Sequence, residues 1–423
     1  MSPDNYKIDG LVPSKGIFHP NDVAELQTFM SERNSCRESV SIIGGGTRLQ
    51  FGNQLKSYDY AVNTSLINSM SSHNEADLTC RVQAGMKMQI LQDSLKEHGQ
   101  FLAVDCPFPA ESTVGGTLAS NSPGFLRWQL AHMRDMVIGM KVVFAAGTLT
   151  KSGGQVVKNV SGYDMARLHI GGLGTLGVIT EVSFKLTPLT AKEGSITVSF
   201  DSRDDAFDFS RKIFNSYAMP LALVVVNGEL TKLFDISDSF GKTTVVVRLG
   251  GRQKAFERQI SIISDISKKF QKVDVDILDT QLSDSTWNKI RDYGWLDPTI
   301  ETIVNVSSSP IATRTVDETL SKIMDKYEVS YNLVSQPGFG ATYGYFGTVQ
   351  GEIEKWVHFV KEIKIACAKI GGTIKFEKVP NVGKCEIDVW PEVEPRVLKL
   401  MRDLKKTYDP AGILNKGRFI GRI

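Results

Sequence analysis

Residues 171–186 read GGLGTLGVITEVSFKL, and the order of glycines and strand-forming residues in this stretch decides between two folds. Gly172, Gly174 and Gly177 have the spacing of the G-x-G-x-x-G turn that holds a dinucleotide in a Rossmann fold. In that fold the glycines follow a strand and open a helix. Here apolar and polar residues alternate from Val182 to Leu186, which predicts a half-buried strand after the glycines. The stretch therefore argues against a Rossmann turn, and its glycines need another explanation.

Composition excludes several classes of protein. The chain has 423 residues, of which 41% are apolar and 23% charged, as in a globular protein of two or three domains. Its 49 basic and 47 acidic residues give a net charge of +2, which offers no basis for nucleic-acid binding. The longest aliphatic run, LALVVV at 221–226, is too short to span a membrane, and the polar start MSPDNYKIDG lacks the pattern of a signal peptide. We therefore expect a cytoplasmic protein.

Five cysteines lie far apart in the sequence, so the spacing of an iron–sulfur cluster or a zinc knuckle is missing. If the chain handles electrons, it has to pass them to another molecule.

Two further glycine clusters precede residue 171: GGGTRLQFG at 44–52 and ESTVGGTLASNSPG at 111–124. Consecutive glycines let backbone N–H groups converge on one anion, because no side chain blocks the approach. The two clusters are thus predicted to bind a diphosphate through their backbone N–H groups. The hydroxyls of Thr47, Ser112 and Thr117 would be further donors. Tight turns between short strands remain the alternative for any single cluster.

Local patterns around the clusters predict regular elements. Residues 19–32 indicate a helix capped by Asn21 or Asp22, and residues 86–99 indicate an amphipathic helix closed by Gly99. Residues 136–154 predict two strands joined by a tight turn at 146–147.

Three segments together resemble a known family. They are SIIGGGTRLQFG (41–52), PAESTVGGTLASNSPG (109–124) and the run from Arg134 to Leu186, which are similar to the FAD domain of the vanillyl-alcohol oxidase and p-cresol methylhydroxylase flavoproteins. The stretch GGQVVKNVSGYD (153–164) is similar to the E subunit of glycolate oxidase. Near the carboxyl end, CEIDVW (385–390) and LMRDLKKTYDPAGILNKGRF (400–419) are similar to the terminal segment of that subunit.

The resemblance implies an α+β fold with a discontinuous, two-lobed FAD-binding domain over residues 1–190. An α+β cap or substrate domain with an antiparallel sheet would cover 191–385, and residues 386–423 would return to the flavin site. The resemblance also implies bound FAD, which we expect to be held non-covalently because residues 40–60 contain no histidine that could tether it. The residues carried over as its contacts are Gly44, Gly45, Gly46, Thr47, Thr113, Val114, Gly115, Gly116, Thr117, Ser120, Gly174, Thr175, Gly177, Val178, Ile179 and Asn415.

The implied function is that of a glycolate-oxidase-type subunit that oxidises a 2-hydroxy acid such as glycolate or D-lactate. Electrons would pass to an iron–sulfur subunit or a quinone, a second FAD subunit could take part, and membrane association would come only through such partners. Two alternatives stay open: an accessory FAD subunit that does not itself oxidise substrate, and a stand-alone flavin oxidase or dehydrogenase. Related D-2-hydroxy-acid dehydrogenases carry a metal-binding H-x-G-D-G-N-x-H segment in the cap. The matching region, VSQPGFGATYGYFG at 334–347, has no histidine and no acid, so we expect no metal.

The catalytic residues are less well defined by sequence. We predict Lys158, Tyr163, His169 and Arg418 as the catalytic set, because a 2-hydroxy acid needs a cation for its carboxylate and a base for its hydroxyl proton. Further candidates are Arg134 and Arg167 for the carboxylate and Tyr343 and Tyr345 for the proton. The six histidines are expected to form no cluster, and Cys106 to be a small buried hydrophobe rather than a point of flavin attachment.

Overall fold

A computed structural model describes residues 6–126, 132–154, 163–234, 243–295 and 297–423. Their contacts divide the chain into two compact units. Unit one contains the described residues of 1–123, 131–189 and 388–423, and unit two those of 124–130 and 190–387. Within the described ranges, no helix combines the length and the apolar character needed to cross a bilayer.

Unit one is built from short strands in three sheets with helices between them. Its strands are β1 (Gly16–Phe18), β2 (Val40–Ile43), β3 (Tyr60–Asn63), β4 (Met70–Asn74), β5 (Thr79–Gln83), β6 (Gln100–Phe101), β7 (Val137–Val143), β8 (Leu149–Gly153), β9 (Val178–Lys185) and β10 (Thr187–Pro188). Its helices are α1 (Val23–Cys36), α2 (Met88–Lys96), α3 (Val114–Ser120), α4 (Met133–Met136) and α10 (Pro395–Tyr408). A parallel sheet has the order β1-β3-β2, an antiparallel one the order β4-β5-β9-β7-β8, and β6 pairs with β10.

The local predictions in unit one are confirmed. The side chain of Asp22 caps α1 by accepting the amide of Glu25 at 2.9 Å. Gly99 has a φ of +66°, the left-handed conformation that lets the chain turn after α2. Strands β7 and β8 form the predicted hairpin around Gly147. Each of these features depends on residues within one turn of the chain, which is why the sequence shows them.

The residues after Gly177 form a strand, as predicted, and no helix starts there. Strand β9 lies between β5 and β7 in the five-stranded sheet, and α3 packs against it. It is more buried than its alternation suggests, because both faces are covered over most of its length. The Rossmann alternative is thereby excluded by structure as well as by pattern.

Unit two is a single eight-stranded antiparallel sheet with helices. Its strands are β11 (Lys192–Phe200), β12 (Ala222–Gly228), β13 (Thr243–Gly251), β14 (Val273–Leu278), β15 (Thr302–Ser307), β16 (Tyr331–Gln336), β17 (Ala341–Phe346) and β18 (Thr373–Lys378). Its helices are α5 (Arg203–Phe214), α6 (Gln253–Ser267), α7 (Thr280–Asp292), α8 (Thr313–Tyr327) and α9 (Ile353–Lys369). The strand order is β14-β11-β13-β12-β16-β17-β15-β18. The α+β class and the antiparallel sheet expected for this part of the chain are confirmed.

Candidate functional site

The glycine clusters of unit one meet at a depression that we call the cradle. It is lined by residues 42–49, Cys106, Pro107, Ser112, Thr113, Gly116, Thr117, Ala119, Ser120, Ser122, Leu173, Asn415 and Arg418. All three clusters and the carboxyl-terminal segment therefore contribute to one surface, as the sequence predicted for the flavin site.

The first cluster supplies unused backbone donors. Strand β2 ends at Ile43, and none of the amides from Gly44 to Thr47 has a hydrogen-bond partner within the described ranges. Four consecutive N–H groups without an acceptor are costly to leave unsatisfied unless a ligand or water meets them. This segment has the chemistry of an anion-binding loop.

The second cluster differs from what the sequence predicted. Residues 114–120 form helix α3, and the Thr113 hydroxyl caps it by accepting the amide of Gly116 at 3.2 Å. The amide of Val114 donates to the Met86 carbonyl at 2.9 Å and that of Gly115 to the Ala84 carbonyl at 2.8 Å. The expectation that these main-chain amides converge on the diphosphate is therefore corrected, because they already have acceptors within the protein.

Two donors of the second cluster do remain unused. The amide of Thr113 has no partner in the described part of the chain, and the buried hydroxyl oxygen of Thr117 has none either. The hydroxyls of Thr47 and Ser112, which were predicted as donors, lie 3.0 Å apart and bond to each other. Ser120 bonds to the Gly116 carbonyl at 2.8 Å. The second cluster thus offers one amide and one hydroxyl to a ligand.

The third cluster contacts α3 rather than opening a helix. The amides of Gly171 and Leu173 donate to the carbonyls of Leu118 and Ala119, both at 2.9 Å. Leu173 lines the cradle, with a left-handed φ of +48°.

The other predicted contacts of this cluster lie in or just before β9. Gly174 and Thr175 precede the strand, and Gly177 sits against Val142, whose Cγ1 lies 2.5 Å from where a Cβ would stand. Val178 and Ile179 pair with β7. Recognition of the adenine base by these residues remains a prediction.

Asn415 joins three segments at the cradle. Its side-chain Nδ2 donates to the carbonyl of Leu173 at 2.6 Å, and its Oδ1 accepts the amide of Ile42 at 3.2 Å. Its own amide donates to the Val40 carbonyl at 2.9 Å. The return of the carboxyl-terminal segment to the predicted site is thereby built from specific hydrogen bonds.

Arg418 places a buried cation at the cradle. It is 5% exposed, and its Nη2 donates to the carbonyls of Leu49, at 2.7 Å, and Phe51. Its Nε has no hydrogen-bond partner among the described residues. Burial lowers the pKa of Arg418, an effect that the charges of Asp9 and Tyr58 oppose. Its hydrogen-bond partners are neutral carbonyls, so the guanidinium keeps its positive charge, which favours an anion nearby.

Sequence analysis missed Lys405 and Asp409. The Nζ of Lys405 lies 2.7 Å from the Asp409 carboxylate, 2.7 Å from the Thr175 carbonyl and 2.8 Å from the Leu414 carbonyl. Asp409 also accepts the amides of Ile413 and Leu414. In the sequence both residues look like the polar face of a surface helix. The only available signal was the turn DPAG after α10, in which a carboxylate often binds nearby amides.

Of the predicted catalytic residues that the structure describes, Arg418 lines the cradle, whereas Tyr163 and His169 do not. Lys158 lies outside the described residues. The side chain of Tyr163 is 92% exposed, and His169 is 8% exposed beside the ring of Phe144. Burial lowers the pKa of His169 to about 4, so its imidazole is neutral at pH 7 and a weak acceptor for a hydroxyl proton. Catalytic roles for these residues remain predictions.

The further candidates have ordinary structural partners. Arg167 pairs with Asp164 at 2.6 Å and Arg134 lies 3.7 Å from Asp135, both on the surface of unit one. In unit two, Tyr345 is 2% exposed and packs edge-on against Tyr293. Tyr343 contacts the ring of Phe125.

The expectation that the histidines form no cluster is wrong for two of them. The rings of His73 and His98 lie 4.9 Å apart, and Glu75 lies beside them. No local sequence pattern indicates this contact, because His73 lies on β4 and His98 lies after α2.

The cradle fits an FAD diphosphate. It combines the four unused amides of the first cluster with one unused amide and one unused hydroxyl of the second cluster. The buried guanidinium of Arg418 adds a positive charge. Neutral backbone donors and one cation are the groups that recur at phosphate sites in proteins.

Comparison with known proteins gives the family. Residues 14–153 match the model of an FAD binding domain, and residues 190–419 match the C-terminal domain of FAD linked oxidases. The second match alone covers more than half of the chain.

Relatives with similar sequences align along nearly the whole chain. Glycolate oxidase subunit GlcD of Bacillus subtilis is 26% identical over 96% of this chain and 89% of its own length. A D-lactate dehydrogenase of Archaeoglobus fulgidus is 23% identical over 96% of this chain and 91% of its own. This glycolate oxidase relative is subunit GlcD, whereas residues 153–164 had suggested the E subunit.

Solved structures give the fold independently. Substrate-bound p-cresol methylhydroxylase superposes with a TM-score of 0.76 at 16% identity, over 98% of this chain and 91% of that structure. The family models and the sequence relatives confirm the superfamily and the cofactor expected from the sequence, and the superposition confirms the fold. The chain belongs to the FAD-linked oxidases and is an FAD-dependent oxidoreductase with the fold of p-cresol methylhydroxylase.

Proposed function

We propose that this protein is an FAD-dependent dehydrogenase of a small 2-hydroxy acid of the glycolate or D-lactate type. The observation that carries the proposal is the near full-length similarity to a glycolate oxidase subunit and to a D-lactate dehydrogenase. The cradle adds support, since it has the donors that the cofactor of such an enzyme requires.

In this proposal the amides from Gly44 to Thr47, the Thr117 hydroxyl and the Arg418 charge hold the diphosphate of FAD. Asn415 keeps the first and third clusters at a fixed separation through its bonds to Ile42 and Leu173. Bound flavin supplies the acceptor for the two electrons taken from the alcohol carbon. Unit two is the substrate domain, and Lys158 is the cation for the substrate carboxylate.

The electron acceptor belongs to the proposal too. The five cysteines do not lie at the spacings of an iron–sulfur cluster. An iron–sulfur subunit or a quinone at the membrane surface would take the electrons, with any membrane association through that partner.

One observation favours a second candidate, an accessory FAD subunit. Residues 331–346 form the hairpin of β16 and β17, and its sequence has neither the histidines nor the acid of the metal-binding segment expected in related dehydrogenases. Without that segment a substrate hydroxyl would lack its metal. A sibling flavoprotein would then oxidise the substrate while this chain relays electrons.

Anaerobic reduction of the purified full-length chain separates these functions. The flavin bands are followed while glycolate, D-lactate and D-2-hydroxyglutarate are added one at a time, with L-lactate as the stereochemical control. Bleaching by one of the first three acids supports intrinsic dehydrogenase activity.

A flavin that stays oxidised with every acid, but bleaches once a second FAD subunit is added, supports the accessory role. A flavin that stays oxidised in both cases contradicts the proposed substrate class.

A further inference from the structure

We propose that His73, Glu75 and His98 form a binding site for one divalent transition-metal ion, with Zn²⁺ as the best match. One potential ligand atom from each side chain lies within 4.8 Å of the other two. Glu75 and His98 are exposed and His73 is partly so, which means that an ion can reach all three from solvent. Two imidazoles and a carboxylate are ligands that zinc prefers in proteins.

The backbone brings two distant segments together at this point. His73 lies on β4, the edge strand of the five-stranded sheet, and Glu75 follows directly after that strand. His98 lies in the turn between α2 and β6. The segments are tied by the side chain of Gln100, whose Nε2 donates to the Glu75 carbonyl at 2.9 Å. The site therefore has a fixed backbone frame around exposed ligands.

Gln100 also selects the tautomer of a neutral His73 ring. Since the amide nitrogen of Gln100 is used by the Glu75 carbonyl, its Oε1 is the atom that meets His73 Nε2, at 3.0 Å. An amide oxygen only accepts, so Nε2 carries a proton, and in the neutral imidazole this leaves Nδ1 with the lone pair that a metal ion needs. Gln100 is 6% exposed, and its orientation is thereby protected from solvent. A buried acceptor that orients an imidazole is the usual support for a metal-bound histidine.

An ordinary ion pair explains the cluster less well. His98 Nδ1 lies 2.8 Å from Glu75 Oε1, but an exposed pair of this kind contributes little to stability. It also leaves a second imidazole close by, with ring centroids 4.9 Å apart and planes at 82°. A single cation bound by both rings and the carboxylate accounts for all three side chains, which the ion pair does not.

The geometry selects the class of metal. Tetrahedral zinc with bonds of about 2.0–2.1 Å holds its ligand atoms about 3.4 Å apart. The three potential ligand atoms lie within 4.8 Å of one another, and the exposed side chains of Glu75 and His98 are free to rotate towards a bound ion. Mg²⁺ and Ca²⁺ require mainly oxygen ligands and do not suit two imidazoles. With three protein ligands, the fourth position is left to water or to a group from another molecule.

The proposed metal site is distinct from the cradle. None of His73, Glu75, His98 and Gln100 lines the cradle. A metal ion here would cross-link the edge strand β4 to the chain that follows α2. We therefore expect zinc to raise the thermal stability of the holoprotein without changing its flavin content.

The experiment uses the untagged, FAD-loaded full chain, stripped with EDTA and desalted. Titration calorimetry with ZnCl₂ and metal analysis after dialysis give affinity and stoichiometry, with MgCl₂ as the negative control. His73→Gln, Glu75→Gln and His98→Gln are each compared with His358→Gln, which removes an exposed histidine of unit two. Flavin absorbance and circular dichroism verify that each variant is folded.

We expect one zinc per chain, no heat with magnesium, and affinity at least about tenfold weaker in each cluster variant but unchanged in His358→Gln. Loss of zinc binding in Cys36→Ser or Cys385→Ser, with the cluster variants unaffected, would assign the ion to the exposed thiols and overturn the proposal. Absence of binding to the unmodified chain would overturn it as well.

Discussion

The ammonium nitrogen of Lys405 lies 2.7 Å from the carbonyl oxygen of Thr175, so helix α10 is tied directly to the third glycine cluster. The same ammonium pairs with Asp409 and bonds to the Leu414 carbonyl, one residue before the segment that enters the cradle. Burial lowers the pKa of Lys405, and the Asp409 carboxylate opposes that shift. Lys405 is thus a positioning residue for two walls of the cradle.

Replacing this lysine tests that relationship. Lys405→Met keeps the length of the side chain but leaves Asp409, which is 2% exposed, without its cation. Removing one partner of a buried pair typically costs about 3–5 kcal/mol, because the other charge stays buried. Urea unfolding of the apoprotein should show a loss of this order, and FAD retention should fall.

Lys406→Met is the matched control, since the neighbouring lysine is exposed. Equal stability of Lys405→Met and Lys406→Met would show that Lys405 does not hold the cradle together.

Sequence reasoning succeeded where neighbouring residues decide the structure. The Asp22 cap, the turn at Gly99 and the β7–β8 hairpin each follow from side chains or backbone preferences within a few residues. The convergence of the family segments at the cradle was also predictable, because their loops carry glycines as a visible pattern.

Long-range contacts were not visible in the same way. Helix α3 contains two glycines, each of which lowers helix propensity by about 1 kcal/mol, so the segment looked like a loop. Its first amides donate to the carbonyls of Met86 and Ala84, and no local sequence pattern indicates those acceptors. The partners of Lys405 and the pairing of His73 with His98 likewise depend on the tertiary fold.

The glycine at position 45 is required for the contact between the first two clusters. A Cβ there would lie 1.9 Å from the Glu111 carbonyl oxygen, so backbone would have to move. We expect Gly45→Ala to be purified largely without flavin, as judged by the ratio of flavin to protein absorbance. Gly16→Ala is the control, because its Cβ would stand 3.8 Å from the Tyr60 ring, an ordinary contact. A fully yellow Gly45→Ala protein would contradict the role of this contact.

Because the Thr117 hydroxyl has no partner in the described part of the protein, removing it should lower FAD affinity without lowering the stability of the apoprotein. In Thr117→Val the buried oxygen without a partner is replaced by a methyl group of similar size, so the apoprotein should be at least as stable. FAD affinity should fall about two- to tenfold if the hydroxyl donates to the diphosphate, since such a bond contributes about 0.5–1.5 kcal/mol.

Thr197 provides the comparison for that test, because its hydroxyl in unit two is also buried without a partner. Thr197→Val should affect stability similarly and leave FAD affinity unchanged. Equal affinity in both variants, measured by titrating apoprotein with FAD, would exclude Thr117 as a cofactor contact.

We predict that the flavin is dissociable. Cys106 lines the cradle but is 2% exposed, as expected of a small buried hydrophobe. Acid precipitation should release all of the flavin into the supernatant, and Cys106→Ser should behave identically. Flavin that stays with the precipitate of the unmodified chain, but not of Cys106→Ser, would reveal a thioether link.

The buried His169 should make the stability of unit one depend on pH. Burial lowers the pKa of His169 to about 4, compared with 6.5 for a free histidine. Between pH 6.5 and 4 the unfolded chain therefore binds a proton that the folded chain does not, so stability falls as the pH falls through this window. The shift corresponds to a loss of about 3 kcal/mol in the free energy of unfolding at low pH, and above pH 6.5 this loss is absent. Asp317 in unit two acts in the opposite direction, because burial raises its pKa to about 6.

The contribution of His169 is isolated by comparing the unmodified chain with a variant that lacks the titrating group. His169→Phe keeps an aromatic ring beside Phe144 and removes the titrating group. Urea unfolding of the two proteins at pH 8 measures the difference in stability that comes from packing. The same comparison at pH 4.5 measures the effects of packing and protonation together. The variant should gain stability relative to the unmodified chain as the pH is lowered from 8 to 4.5, by up to about 3 kcal/mol. Parallel pH profiles would show that His169 can be protonated in the folded protein, which would restore it as a candidate base.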